Sequence, residues 1–528
     1  MDDQALPFDV LLLVMALSGR ATISAMMRTC RTLYHTSQSS RLLLQNGVIL
    51  RSDSRILAFS RFMLADPATR FKNLRTLTFA RGNFSDMAVD AIRKLLGHPL
   101  LSIDTLVLND SESVLCSGLG PSIFKVNDRS TPLIESFVRL TTLKHLEIDE
   151  LDVCAGDFLD RLHSNLVSAS VEYGSASSRW NRRVHPDAHN PIVRLANSAD
   201  TLEVLKGSGF NLPPAVIMYD IVYPRVRKIE ATFADHWLPS VVAYARAYPN
   251  LKHLVLNISN ITRRSAMYGL DPFLTDGLES KRCTNKEDQT KYGSWKGLRV
   301  IEGGLAAVYA LGLVCKVSAL RLEGDVTKNT VHYLDAVLCD TRPQKLSVTI
   351  VGGFMFDEGS ILSQLLAKPA VQRLATLEME LCFAPSEGDS DMAELTSKIL
   401  LKLADLPLRK LVLTLNYGLL TDPLYPPSPR SQPSRSRTYY CPAEQYLAEL
   451  DLTAYARRFG ETISTLESVL VLRKDDPAGR LYMFGPCGRG SREQSRSRER
   501  SPESDTLVDP HLVELGFGGM QDDDEIAW

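Results

Sequence analysis

The chain has no Cys-x-x-Cys pair. Its nine cysteines (Cys30, Cys116, Cys154, Cys283, Cys315, Cys339, Cys382, Cys441 and Cys487) lie far apart and are odd in number. That excludes the paired spacing of zinc and redox motifs, and it fits scattered reduced thiols in a cytosolic or nuclear protein. Charge of one sign is lacking too: 60 basic residues stand against 62 acidic ones, a formal net charge of −2. Such a balance argues against a nucleic-acid-binding body or a dedicated membrane-surface protein. No stretch reaches the roughly 20 apolar residues of a membrane span. The apolar run Val10–Leu17 follows an acidic start, Met1-Asp2-Asp3, and no small-residue cleavage site follows it, so it does not read as a signal peptide. The expectation is a soluble intracellular protein, cytoplasmic or nuclear.

Signatures of chemistry are scarce as well. No phosphate loop ends in Gly-Lys-Ser/Thr, and there is no Gly-x-Ser-x-Gly elbow. Gly207 and Gly209 follow an expected strand, but Leu212 stands where a dinucleotide fingerprint needs its third glycine. His185 and His189 are four apart, yet Pro186 and Pro191 oppose the helix that would bring them to one face. The reading is therefore no enzyme, with no catalytic, cofactor-binding or metal-binding residue expected.

What is present begins at the N-terminus. Leu6-Pro7-Phe8-Asp9-Val10-Leu11-Leu12 opens an almost wholly apolar helix, with Pro7 suited to its first position and Asp9 to its first turn; Ser18-Gly19 stops it. Ile23, Met26, Met27, Cys30, Leu33 and Tyr34 then recur at three- and four-residue steps, the face of a second helical segment. About 40 residues cannot hide that much apolar surface among themselves. Something else must cover it.

These residues resemble the F-box, the small helical module that docks on a Skp-type adaptor. The resemblance rests on Leu6-Pro7-x-Asp9-Val10-Leu11-Leu12 and on Thr29-Cys30-Arg31-x-Leu33-Tyr34. The chain departs from the pattern at Ala21-Thr22-Ile23, where an Asp-Leu or similar pair is common, and has Leu42-Leu43-Leu44 in place of a terminal tryptophan. The resemblance implies that Leu6, Pro7, Val10, Leu11, Met27 and Leu33 bind the adaptor. The alternative is an ordinary helical hairpin packed on the next domain.

From about residue 70 a short phrase recurs: apolar, two residues, apolar, one residue, apolar. It appears at Leu74/Leu77/Phe79, Ile103/Leu106/Leu108, Leu143/Leu146/Ile148, Val226/Ile229/Ala231, Leu251/Leu254/Leu256, Val317/Leu320/Leu322, Leu374/Leu377/Met379 and Leu408/Leu411/Leu413, with weaker copies at Leu166, Leu202, Leu298, Leu346 and Leu466. The last two apolar positions alternate as a half-buried strand requires. Between phrases lie helical faces: Ala88, Ile92 and Leu95 behind a Ser85 cap; Val331, Leu334 and Leu338; Met392, Leu395, Ile399 and Leu403. Strand–helix units in series stack into a solenoid.

The phrases resemble the degenerate leucine-rich repeats that follow the F-box in many fungal proteins. The spacing is irregular, and the Asn that normally ends the strand is found only at Asn109 and Asn257. A non-repetitive, Leu-rich α/β domain is the alternative. The predicted organisation is α/β: an F-box-like helical module over 1–48, a helical connector over 49–69, a repeat array over 70–475 with a disordered insertion at 421–438, and a disordered Arg/Ser-rich and acidic tail over 476–528. Ser175–Pro191 and Thr262–Ser294 are read as loops.

The two resemblances together imply a substrate-recognition adaptor of a Skp–cullin–F-box ubiquitin ligase. Its partners would be a Skp-type adaptor, through it a cullin, and a protein substrate. The substrate surface would be the concave strand face, with His145, Glu147, Lys228, Glu230, His253, Arg321, Glu378 and Lys410. The competing reading is a repeat scaffold with no ubiquitin role; an RNA-associated protein using its Arg-Ser tail is a third.

Overall fold

A computed structural model describes residues 7–29, 31–35, 37–45, 47–80, 82–117, 132–151, 153–173, 190–210, 219–233, 240–258, 272–417, 420, 441–474 and 482–484. Leu6, Cys30, the His185/His189 pair, the insertion 421–438 and nearly all of the tail lie outside these residues.

The chain divides after residue 46. The first unit holds α1 (Phe8–Ala16), α2 (Arg20–Thr29), α3 (Arg31–His35) and α4 (Ser37–Leu44). Pro7 sits one place earlier than expected, at the cap, where its carbonyl accepts from the Val10 and Leu11 amides at 3.0 and 3.2 Å. Ile23, Met27, Leu33, Leu43 and Leu44 are buried.

The second unit is an open sheet whose strands lie side by side in chain order, β1 to β15. They are β1 (Val48–Leu50), β2 (Thr76–Ala80), β3 (Thr105–Asn109), β4 (His145–Leu151), β5 (Ser168–Tyr173), β6 (Val204–Ser208), β7 (Lys228–Phe233), β8 (His253–Ile258), β9 (Leu298–Gly304), β10 (Val317–Val326), β11 (Lys345–Val351), β12 (Thr376–Cys382), β13 (Lys410–Asn416), β14 (Ser468–Lys474) and β15 (Tyr482–Phe484). Neighbours are parallel throughout, except that β15 runs antiparallel to β14. The arrangement is that of a solenoid-like α/β fold.

Each recurring phrase lands on a strand or on the turn entering it. In β2, Leu77 and Phe79 are buried while Thr76, Thr78 and Ala80 are half-exposed, the period of two that the pleat requires. The register keeps equivalent residues abreast: Leu77 beside Leu106, Leu106 beside Leu146, Leu377 beside Leu411. A second regularity sits just ahead of the phrase. The hydroxyls of Thr142, Thr201 and Thr465 donate to the carbonyls of Ile103, Leu166 and Leu408, each at 2.8 Å. Each therefore ties its own turn to the first apolar residue of the preceding phrase.

Helices cover the buried face. After β1 come α5 (Asp53–Ala65) and α6 (Pro67–Arg70); then α7 (Asp86–Leu96) after β2, α8 (Ser111–Leu115) and α9 (Pro132–Val138) after β3, and α10 (Val153–Arg161) after β4. Ser85 does cap α7, its hydroxyl accepting the Ala88 amide at 3.4 Å, and Ala88, Ile92 and Leu95 are buried. Phe137 meets Phe79 edge-on at 5.4 Å between ring centroids. The helices Val331–Thr341 and Met392–Ala404 bury the faces read for them.

Three boundaries need correction. The sheet begins at Val48 rather than at residue 70, because Val48 and Leu50 are buried beside Leu77 and Phe79. Thr262–Ser294 is not a loop throughout: Pro272–Tyr292 is a 21-residue helix. Its buried side is Leu278, Arg282, Asn285 and Gln289, a helical stripe made mostly of polar residues, so an apolar-periodicity reading misses it. Finally, Tyr482–Phe484, inside the expected tail, forms β15.

Candidate functional site

In the first unit the candidate site is α1. Its sequence is so apolar that no single stripe faces the core, and only Met15 is buried. Phe8 and Val10 are each 38 % exposed, Val14 42 %, Leu13 60 % and Leu17 83 %. Of the adaptor-binding residues expected from sequence, Pro7 and Val10 are exposed and Leu11 is half-exposed, whereas Met27 and Leu33 are buried. Leu6 lies outside the described residues. Phe8, Leu13, Val14 and Leu17 are exposed beside them but were not among the residues expected to bind, although they belong to the apolar run that defined the helix.

In the second unit the candidate site is the open strand face. Strands pair about 4.8 Å apart, while packed helices need about 8–10 Å. That difference in spacing favours curvature with the strands on the inside in strand–helix arrays. The eight residues expected on that face are brought onto it, in two rungs. One rung passes through His145, then Lys228 beside His253, and on to Lys410. The other passes through Glu147, Glu230, Arg321 and Glu378. None of the eight is buried.

One end of the face is acidic, and opposite-sign pairs line the rest. At β4 and β5, Glu147, Asp149 and Glu172 gather. Burial raises the Glu147 carboxyl, with Glu172 adding to the effect and Lys206 opposing it. Burial, then the charges of Glu172, Glu147 and Glu150, push Asp149 up to about 6. Further along the face, Glu230 lies 3.5 Å from both Lys206 and Lys228, and Arg321 lies 3.3 Å from Glu302. Burial, together with Arg299, Lys228 and Arg321, lowers the His253 imidazole. Towards the far end Lys345 meets Glu378 at 2.5 Å, and Lys474 meets Glu380 at 2.7 Å. Glu380 also accepts from Asn416 at 2.8 Å. Sequence reading named one partner in most of these pairs; Lys206, Glu302, Lys345 and Glu380 come from the register.

One cluster joins residues that sequence kept apart. Glu112 on α8, Cys116 just after it and Cys154 in the first turn of α10 place a carboxylate oxygen and two sulfurs within 4.8 Å of one another. Among the described residues no helix is long and apolar enough to cross a membrane. No protein-family model matches the chain, and no curated protein matches it.

Proposed function

We propose that the protein is the substrate-recognition subunit of a Skp–cullin–F-box ubiquitin ligase. Its N-terminal helical unit docks on a Skp-type adaptor, and its leucine-rich-repeat-like array holds a protein substrate on the open strand face. The observation that carries the reading is the uncovered apolar surface of α1, Phe8, Val10, Leu13, Val14 and Leu17. Fully burying a side chain of this size is worth about 1.5–3 kcal/mol, so five exposed at once favour a partner. The motif residues Pro7, Asp9, Val10, Leu11 and Leu12 lie on the same helix or at its cap, and the F-box resemblance they carry supports a Skp-type adaptor as the partner. The repeat-like reading of the sheet is supported by the in-register phrases and the recurring threonine bonds. Scaffolding is the mechanism: the chain raises the effective concentration of substrate beside the ubiquitin-loaded enzyme.

The test is capture of the full chain by a Skp-type adaptor. Replacing Leu13 and Leu17 together by Ala should weaken capture at least about tenfold. Thermal unfolding should stay unchanged, since both side chains are largely in solvent. Undiminished capture by the double variant removes the proposed docking surface. No capture of the unaltered chain leaves a repeat scaffold without a ubiquitin role.

A further inference from the structure

We propose that Glu112, Cys116 and Cys154 form a zinc site that staples the turn after β3 to the turn after β4. The two turns are built alike. Asp110 and Glu150 both take left-handed backbone conformations, with φ of 53° and 56°, and the Ser111 hydroxyl donates to the Glu150 carbonyl at 3.4 Å. This brings α8 against the start of α10. The Glu112 carboxylate accepts the Cys154 amide at 3.0 Å and the Ala155 amide at 3.3 Å, which fixes its orientation. Its other oxygen accepts the Cys116 thiol at 3.4 Å. Both cysteines are buried, at 7 % and 6 % exposure, while Glu112 keeps partial access to solvent.

Two sulfurs and a carboxylate oxygen are a donor set for a thiophilic divalent cation, and zinc is the cation of this class that takes tetrahedral S and O ligands. With Zn–S of about 2.3 Å and Zn–O of about 2.0–2.2 Å, tetrahedral angles place S and O about 3.5 Å apart and the two sulfurs about 3.8 Å apart. The 3.4 Å separation of Cys116 Sγ from the carboxylate already matches. The remaining separations lie within 4.8 Å, an adjustment of about 1 Å. Binding releases two thiol protons to solvent, and water completes the fourth position. The complex then carries one net negative charge, which the amide-rich N-terminus of α10 offsets.

The experiment uses the reduced full chain, titrated with Zn²⁺ and with Co²⁺ as a spectroscopic stand-in. The expected result is one tight equivalent of zinc and a sulfur-to-cobalt charge-transfer band. Both should be lost in the Cys116→Ser/Cys154→Ser variant, which leaves the other thiols in place. Changes outside the ligand shell cost about 10–100-fold in affinity, so loss of a direct ligand should cost about 100-fold or more. If the double variant fails to fold, Glu112→Gln carries the test, because its side-chain oxygen can still accept the α10 amides; it should weaken zinc binding and leave the metal-free unfolding temperature unchanged. Equal binding in parent and both variants overturns the proposal. So does the absence of binding by the parent, or a Cys116–Cys154 disulfide formed by mild oxidant in a chain that takes up no zinc.

Discussion

Asp149 is the most perturbed carboxylate on the open strand face, at about 6 against an ordinary 3.8. Burial sets the shift, and Glu172, Glu147 and Glu150 add to it. The sign follows from linkage. A raised value means that the folded chain holds this proton more tightly than the unfolded chain does. The stabilisation is therefore full below 3.8 and is lost as pH climbs through about 6. Asp149→Asn, which never ionises, should match the parent in denaturant midpoint near pH 4 and surpass it near pH 7. A gap between the two that does not change with pH would show that Asp149 is already ionised throughout. A basic residue of a substrate placed between Asp149 and Glu172 would reverse the shift, so the same titration reports occupancy of this end of the face.

At the scale of elements, the helix Pro272–Tyr292 is held by amides rather than by an apolar stripe. Gln289 Nε2 donates to the carbonyls of Leu311 and Gly312 at 3.1 and 2.9 Å, and its oxygen accepts the Val314 amide at 3.3 Å. Asn285 does similar work, donating to Ala310 at 2.9 Å and accepting the Val241 amide at 3.4 Å. Together they satisfy the carbonyls at the end of the helix Leu305–Leu311, where Gly312 turns left-handed at φ 52°. Gln289→Ala should cost about 1–3 kcal/mol, because buried backbone groups lose their partners. Gln289→Leu, which fills the space without the bonds, should be no better; urea unfolding of both decides it. This element also marks where sequence reading stops. Strands announce themselves because Leu77 and Phe79, or Leu411 and Leu413, alternate with polar neighbours whatever packs on them. A helix whose buried face is Arg282, Asn285 and Gln289 shows no such contrast. β1 is too short for a pattern, with only Val48 and Leu50 buried. Cys116 and Cys154 meet only through the β3–β4 register. The residues of the open strand face were legible because the period of two fixes both faces of a strand at once, whereas their ion pairs depend on neighbours from other strands.

For the molecule as a whole, side-by-side order makes stability a matter of nearest neighbours. Leu411 is fully buried in β13, and Leu411→Ala should cost about 2–5 kcal/mol. Hydrogen exchange should then quicken in β12, β13 and β14 and stay at parent rates in β2 to β5. Lys410→Ala, on the exposed side, should change stability by less than about 0.5 kcal/mol. Equal loss of protection across all strands would mean that the sheet unfolds as one block. The strand order also bears on synthesis. Every strand from β2 to β15 pairs with the one translated just before it, so a nascent chain never keeps a strand waiting for a partner still inside the ribosome. The growing edge is always the newest strand, and each added helix covers the apolar side just made. A ribosome stalled partway would carry a folded stem whose newest strand is an open edge, able to resume at the next strand. Among the described residues the last strand to join is β15, three antiparallel residues, Tyr482–Phe484, a short template for a stranger to extend.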